Sequence, residues 1–202
     1  MKLKIFKLTL PLLCSSLLLF SSCLSKPRYE GSGDLCGIII DENNKPVKDF
    51  IVYCKLANPD KFSKDPGPVK TNESGLFVFY GLPCNAYMLS GCKNNYLGIE
   101  PFLYSFEDRT RIVCLQTRGY KSAITRAEEL AAMGQTEEAA ALVGRIACEK
   151  DSREELYIKA HQFLLSQNKD TRLSILNDLK NRNYKNGSFF TEYTKKLEEM
   201  MQ

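Results

Sequence analysis

From Leu35 to Gln116 apolar residues fall on alternate positions, and beyond Arg118 they return every three or four, so the chain passes from strand period to helix period at one point. Leu35 to Ile40 is apolar and β-branched, Asp41 to Pro46 supplies turn residues, and Phe50, Val52, Cys54 and Leu56 then share one parity. Phe77 and Phe79 follow the turn Asn72-Glu73-Ser74-Gly75. Tyr87, Leu89 and Gly91 follow Gly81-Leu82-Pro83, and Arg111 to Gln116 makes a last strand. Short strands punctuated by Gly, Pro and Asn, with no helical stripe between them, predict an antiparallel β-sandwich.

Past the switch, Ile124, Ala127, Leu130 and Ala131 share a helical face. Gly134 breaks the run, and Ala139, Leu142, Val143 and Ile146 form the next stripe. Ser152 and Glu155 have the spacing of a capping box ahead of Leu156, Ala160, Phe163 and Leu164. Asp170 is placed to cap a helix bearing Leu173, Leu176 and Leu179, and Ser188 one bearing Phe189, Phe190, Tyr193 and Leu197. The expected fold class is α+β in two domains, a sandwich over 35–118 and helical hairpins over 119–202.

Upstream of both, Lys2, Lys4 and Lys7 precede an apolar run from Leu8 to Phe20, and Ser21, Ser22 and Cys23 follow. The run is short of the roughly 20 residues a membrane-spanning helix needs, and Pro11 interrupts it. This order resembles a bacterial lipoprotein signal, with Phe20 where such signals carry Leu. The resemblance implies removal of residues 1–22, lipidation of Cys23, a flexible tether over 23–34, and a cell-envelope protein held on a bacterial membrane. Two acyl chains would anchor it stably, each buried methylene contributing about 0.8 kcal/mol. Ordinary secretion with cleavage elsewhere fits the same run.

The chain has 28 basic and 24 acidic residues and a net charge of +4, of which the three leader lysines account for most. So balanced a surface lacks the basic patch that nucleic-acid binding requires. Six cysteines lie beyond Cys23: Cys36, Cys54, Cys84, Cys92, Cys114 and Cys148. In an exported chain an even set reads as disulfides or as small buried hydrophobes. No close Cys pair and a single histidine, His161, argue against a zinc site, and no cofactor is called for. Cys84 and Cys92 flank one expected strand and stand about 26 Å apart if it is straight, too far to bond. His161, within a helical pattern, reads as a surface or packing residue, and no pattern marks another catalytic base.

The succession Gly37, Asp41, Pro46, Val52, Thr71, Gly75, Phe77, Leu82 and Tyr87 resembles the carboxypeptidase regulatory-like domain, a transthyretin-like seven-stranded sandwich. It departs from that pattern at Ala86, where a glycine is usual. The resemblance implies that Cys54 faces Cys84 and that Cys36 on the first strand neighbours Cys114 on the last, the two pairings favoured for disulfides. The catalytic part of a carboxypeptidase is absent, since a zinc site needs two histidines. Ala127, Leu130, Gly134, Glu138, Ala139 and Val143 resemble a tetratricopeptide repeat, in which small residues let two helices approach closely. A 34-residue step sets Asn168 on Gly134 and Leu173 on Ala139. A plain helical bundle is the other reading.

These features together imply a non-enzymatic, lipid-anchored envelope protein whose helical end binds an envelope protein. Carbohydrate or peptidoglycan binding by the sandwich is the alternative, with Tyr80, Tyr96 and Tyr104 as stacking candidates.

Overall fold

Ile38, Ile39 and Ile40 are β-branched and place apolar side chains on both faces of a strand, β1 (Ser32–Ile40), at the centre of a three-stranded sheet. The computed structural model describes residues 31–59, 61, 64–107, 112–181 and 187–201. Cys23, the leader and most of the tether lie outside the described residues, as does Arg111. The tether's last residues, Ser32 to Asp34, belong to β1. The other strands are β2 (Ile51–Leu56), β3 (Val69–Lys70), β4 (Leu76–Pro83), β5 (Asn85–Cys92), β6 (Tyr96–Leu97), β7 (Ile99–Phe106), β8 (Ile112–Gln116) and β9 (Ile146–Ala147). They form sheets of order β4-β1-β8 and β3-β2-β5-β7, and β6 pairs with β9.

The two larger sheets share one core, to which β1 contributes Leu35 and Ile39, β2 Val52 and Cys54, β4 Phe77 and Phe79, and β5 Tyr87 and Leu89. This is a β-sandwich. One pair departs from the antiparallel expectation, for β8 runs parallel to β1, Cys36 opposite Ile112 and Ile40 opposite Gln116. The chain reaches β8 from β7 in the other sheet, so no hairpin forces reversal. Gly37 faces inward opposite Phe77, and a Cβ there would lie 2.1 Å from the ring, so glycine is what admits the phenylalanine.

Hydrogen bonds from polar side chains, exposed and buried, fix the sandwich's turns. The Asp41 carboxylate accepts from the N–H groups of Asn43 and Lys45, both at 2.8 Å. The Asn72 side chain accepts from Ser74 and Leu76, and Gly75 takes φ +72° between them. Buried Thr71 donates its hydroxyl to the Val47 carbonyl and accepts from the Phe50 N–H. Tyr87 donates its hydroxyl to the Pro83 carbonyl at 2.8 Å, closing the corner where the chain crosses between sheets.

Five helices follow among the described residues: α1 (Tyr120–Ala132), α2 (Thr136–Gly144), α3 (Arg153–Leu165), α4 (Lys169–Lys180) and α5 (Gly187–Glu199). From α1 to α3, and from α2 to α4, the starting residue advances by 33 (Tyr120 to Arg153, Thr136 to Lys169). Buried side chains repeat at that step: Ala127 and Ala160, Leu130 and Phe163, Val143 and Leu176, Ile146 and Leu179. From α3 to α5 the step is 34, with Thr194 and Leu197 buried where Ala160 and Phe163 are. Packing follows the same order, α3 touching α1, α2, α4 and α5.

Several expected details shift. The first step is 33 residues and only the second is the expected 34, so Ala139 corresponds to Arg172, whose guanidinium lies over the Phe163 ring at 5.4 Å; Leu173 is 41% exposed. Ile146 lies in β9, because α2 ends at Gly144. Asn168 caps α4, accepting from Asp170 and Thr171, and Ser188 falls inside α5. Ser152 does cap α3, but the Glu155 carboxylate accepts from the Asp151 N–H, one residue before the capping-box position. Gly134 takes φ +82° and a Cβ there would meet nothing within 4 Å, so it serves a turn and not a close helix approach.

Sandwich and helices meet in the β6–β9 ladder, Tyr96 opposite Ala147 and Leu97 opposite Ile146. Around it Leu97 N–H donates to Arg118, Gly98 N–H to Arg145, and Tyr120 N–H to Asn95. The Arg145 side chain donates to Gly98 and ion-pairs with Glu100 at 3.2 Å. The Glu42 carboxylate accepts from the Gly119 N–H.

Candidate partner-binding face

Spacing of four and seven residues along a helix brings side chains to one side. Tyr157, His161 and Leu164 share such a side of α3, and Tyr157 and Leu164 remain 43% and 45% exposed. The Tyr157 ring meets the His161 ring edge to face, centroids 4.4 Å apart. His161 Nδ1 lies 2.8 Å from the Tyr157 carbonyl, and Nε2 lies 3.1 Å from Glu128 on α1. Each ring nitrogen thus lies within hydrogen-bond distance of an oxygen, and a neutral imidazole donates to only one of the two. Partial burial raises the Tyr157 hydroxyl above its ordinary pKa, and the Glu128 charge, then Tyr193 and Tyr120, add to the rise. The tyrosines of α5 and α1 thus lie electrically close to that of α3. Tyr120 and Tyr193 are partly buried against the helical cores and the His161 side chain is largely covered, so the exposed groups here are Tyr157, Leu164 and Glu128.

A second concavity, about 440 Å³, lies between α2, the end of α3 and α4. Ala140, Gly144, Leu165 and Ile175 give it an apolar lining, and Gln162 and Gln167 supply amides. Among the described residues no group of His, Cys, Asp and Glu is placed to hold a metal ion. No described helix is long and apolar enough to cross a membrane.

Residues singled out in the sequence are scattered. Cys36, Cys54, Cys84, Cys92 and Cys114 are free thiols. The expected bonds are not formed, and the register gives the reason. Cys54 stands opposite Leu89, five residues along β5 from Cys84, a separation of roughly 17 Å. Cys36 stands opposite Ile112 and Cys114 opposite Ile38, an offset that puts their Cα atoms about 8 Å apart, beyond disulfide reach. Burial pushes the Cys54 thiol up to about 12, with the Asp65 charge adding. Tyr80 is 79% exposed on β4. Tyr104 packs half-buried against the core from β7 in the other sheet, and Tyr96 lies at the junction beneath the Lys93 ammonium, 4.9 Å from its ring centroid. The three tyrosines do not form one platform. His161 is expected at a helix surface or in packing and lies on α3, whereas Tyr157 and Glu128 are not marked in the sequence because the Glu128 contact spans 33 residues; the i, i+4 pair of aromatic rings is the available signal.

No protein-family model matches this chain, and no curated protein matches it. Solved structures resemble it over less than half its length. A streptococcal ancillary pilin is 13% identical, with 44% of this chain and 30% of the pilin covered at TM-score 0.37. A Pseudomonas aeruginosa protein provisionally described as carbohydrate binding is 14% identical over 44% of this chain and 90% of its own, at TM-score 0.33. Catechol 1,2-dioxygenase from Pseudomonas arvilla C-1 is 10% identical over 48% and 54%, also at 0.33. The chain spans under a third of the pilin's length. Proteins this different in activity at scores this low carry no argument about function.

Proposed function

We propose that this is a non-enzymatic, lipid-anchored protein of the bacterial cell envelope, in which a sandwich domain spaces a helical domain that docks an envelope protein. The sandwich is read as the seven-stranded carboxypeptidase regulatory-like kind, and the helices as a tetratricopeptide-like stack. The observation that carries this reading is the patch on α3 and α1, where Tyr157 and Leu164 stay exposed beside the His161–Glu128 pair. Stacked hairpins bury their apolar stripes against one another and leave a continuous face for a partner, and aromatic side chains are the common anchors of such faces. The β6–β9 ladder gives the sandwich a grip on the helices, which suits a spacer. The sugar-binding alternative has Tyr80 in its favour, but Tyr96 and Tyr104 stand elsewhere.

The test is affinity purification of the full-length chain from solubilised envelopes. Tyr157→Ala with His161→Ala should lower recovery of a co-purifying envelope protein at least tenfold, and Tyr80→Ala should leave it unchanged. Loss with Tyr80→Ala alone would move the function to the sandwich.

A further inference from the structure

Pro83 and Asn85 flank the corner where the chain leaves β4 for β5, and both line a hollow of about 430 Å³. Leu56, Pro66 and Tyr87 add apolar walls, and exposed Lys64 brings a cation with which no described residue forms an ion pair. Between Pro83 and Asn85, the Cys84 N–H donates to the Gly31 carbonyl at 2.9 Å, so the first described residue of the chain is fastened beside the hollow. Gly31 takes φ +88°, which turns the incoming chain out of the line of β1 at that residue. Residues 24–30 reach this point from outside the described structure. Their sequence, Leu24-Ser25-Lys26-Pro27-Arg28-Tyr29-Glu30, has one aromatic and one acidic side chain, both within two residues of Gly31.

We infer that Tyr29 and Glu30 dock in this hollow as a strap, the Tyr29 ring against its apolar walls and the Glu30 carboxylate at the Lys64 ammonium. A ring that carries a hydroxyl suits apolar walls with one amide among them, here that of Asn85. Reach is sufficient, since two residues of extended chain span roughly 7 Å before the side chain is counted. Attachment at Gly31 is what favours this segment over a foreign one. A short tether holds its own ligand at an effective concentration on the order of millimolar, so a contact too weak to capture a free peptide is still occupied. One consequence rests on the lipid anchor proposed above. Docking cuts the free span from eight residue steps, Cys23 to Gly31, to six, Cys23 to Tyr29, or from roughly 27 to 20 Å at full extension, and keeps this corner of the sandwich towards the bilayer.

The chain contains no tryptophan, so Tyr29→Trp installs a single fluorescent reporter in the full-length protein purified in detergent. Blue-shifted emission and weak quenching by acrylamide are expected. Lys64→Glu, at an exposed site that leaves thermal unfolding unchanged, should raise the quenching constant at least threefold, and adding Glu30→Lys should restore it. The emission of a solvent-exposed indole in the Tyr29→Trp chain would overturn the inference. So would protection that Lys64→Glu leaves intact, which would place the indole elsewhere. Quenching by a brominated detergent would assign position 29 to the lipid surface and overturn it as well. None of these readings needs an acyl chain on Cys23, so mass spectrometry showing an unmodified Cys23 would remove the anchor and leave the docking standing.

Discussion

Replacing Thr71 with valine keeps its shape and removes one hydroxyl, which makes it a clean probe of how the sandwich is held. The side chain is 2% exposed, donates to the Val47 carbonyl at 2.6 Å and accepts from the Phe50 N–H at 2.9 Å. Valine leaves one donor and one acceptor without partners and cut off from water, each a loss of about 1–3 kcal/mol. Some relaxation towards solvent lowers the sum, so about 2–4 kcal/mol is expected, a large share of the 5–15 kcal/mol typical of a folded protein. Urea unfolding of the full chain, followed by circular dichroism, should show a lower midpoint with an unchanged slope. Thr71→Ser keeps both hydrogen bonds and loses only a methyl, about 1 kcal/mol. Valine equal to wild type, or serine worse than valine, would refute the clamp.

Three further outcomes follow from the structure. Gly37→Ala should destabilise by about 2 kcal/mol or more, because its Cβ lies 2.1 Å from Phe77, and Phe77→Leu in the same chain should recover part of that loss in thermal unfolding. Gly134→Ala should cost only about 1 kcal/mol of backbone strain, whereas Ala160→Leu, at a fully buried site between α3 and its neighbours, should cost more by overpacking; equal melting shifts would contradict the assignment of Gly134 to a turn. Burial pushes both Cys54 and Tyr87 up to about 12, from 9.0 and 10.0. The unfolded chain releases these protons first, so the stability from keeping them is full below pH 9 and is lost as pH rises towards 12, at up to about 1.4 kcal/mol per unit for each group. Cys54→Ala should flatten that loss in urea titrations between pH 8 and 11.

Much of the sandwich is readable in single residues because each has a local task. Asp41 folds a turn with its own carboxylate, Tyr87 bonds to a carbonyl four residues back, and Gly75 needs positive φ, whereas the partners of Thr71 lie more than twenty residues away. β7 was not legible, since Pro101 breaks the strand pattern; the structure tolerates it because β7 is an edge strand. Two-residue strands such as β6 and β9 have no period to read, although they join the halves. The helical stripes were legible, but the repeat step was not, because Ala139 and Arg172 share a place with opposite chemistry. Cysteine pairing depends on register across strands, which alternation along one strand does not encode. The parallel course of β8 and the Glu128–His161 contact depend likewise on distant partners.

The central claim, that the α1–α3 face meets an envelope protein, is tested most directly by site-specific photocrosslinking in living cells. A photoreactive amino acid would replace Tyr157 in the full-length chain, with the same residue at exposed Lys70 on β3 as the comparison. The account predicts one discrete protein adduct from position 157, diminished by Glu128→Ala and absent from position 70. Adducts only from position 70, or none from 157 while the chain is folded and present in the envelope, would contradict it.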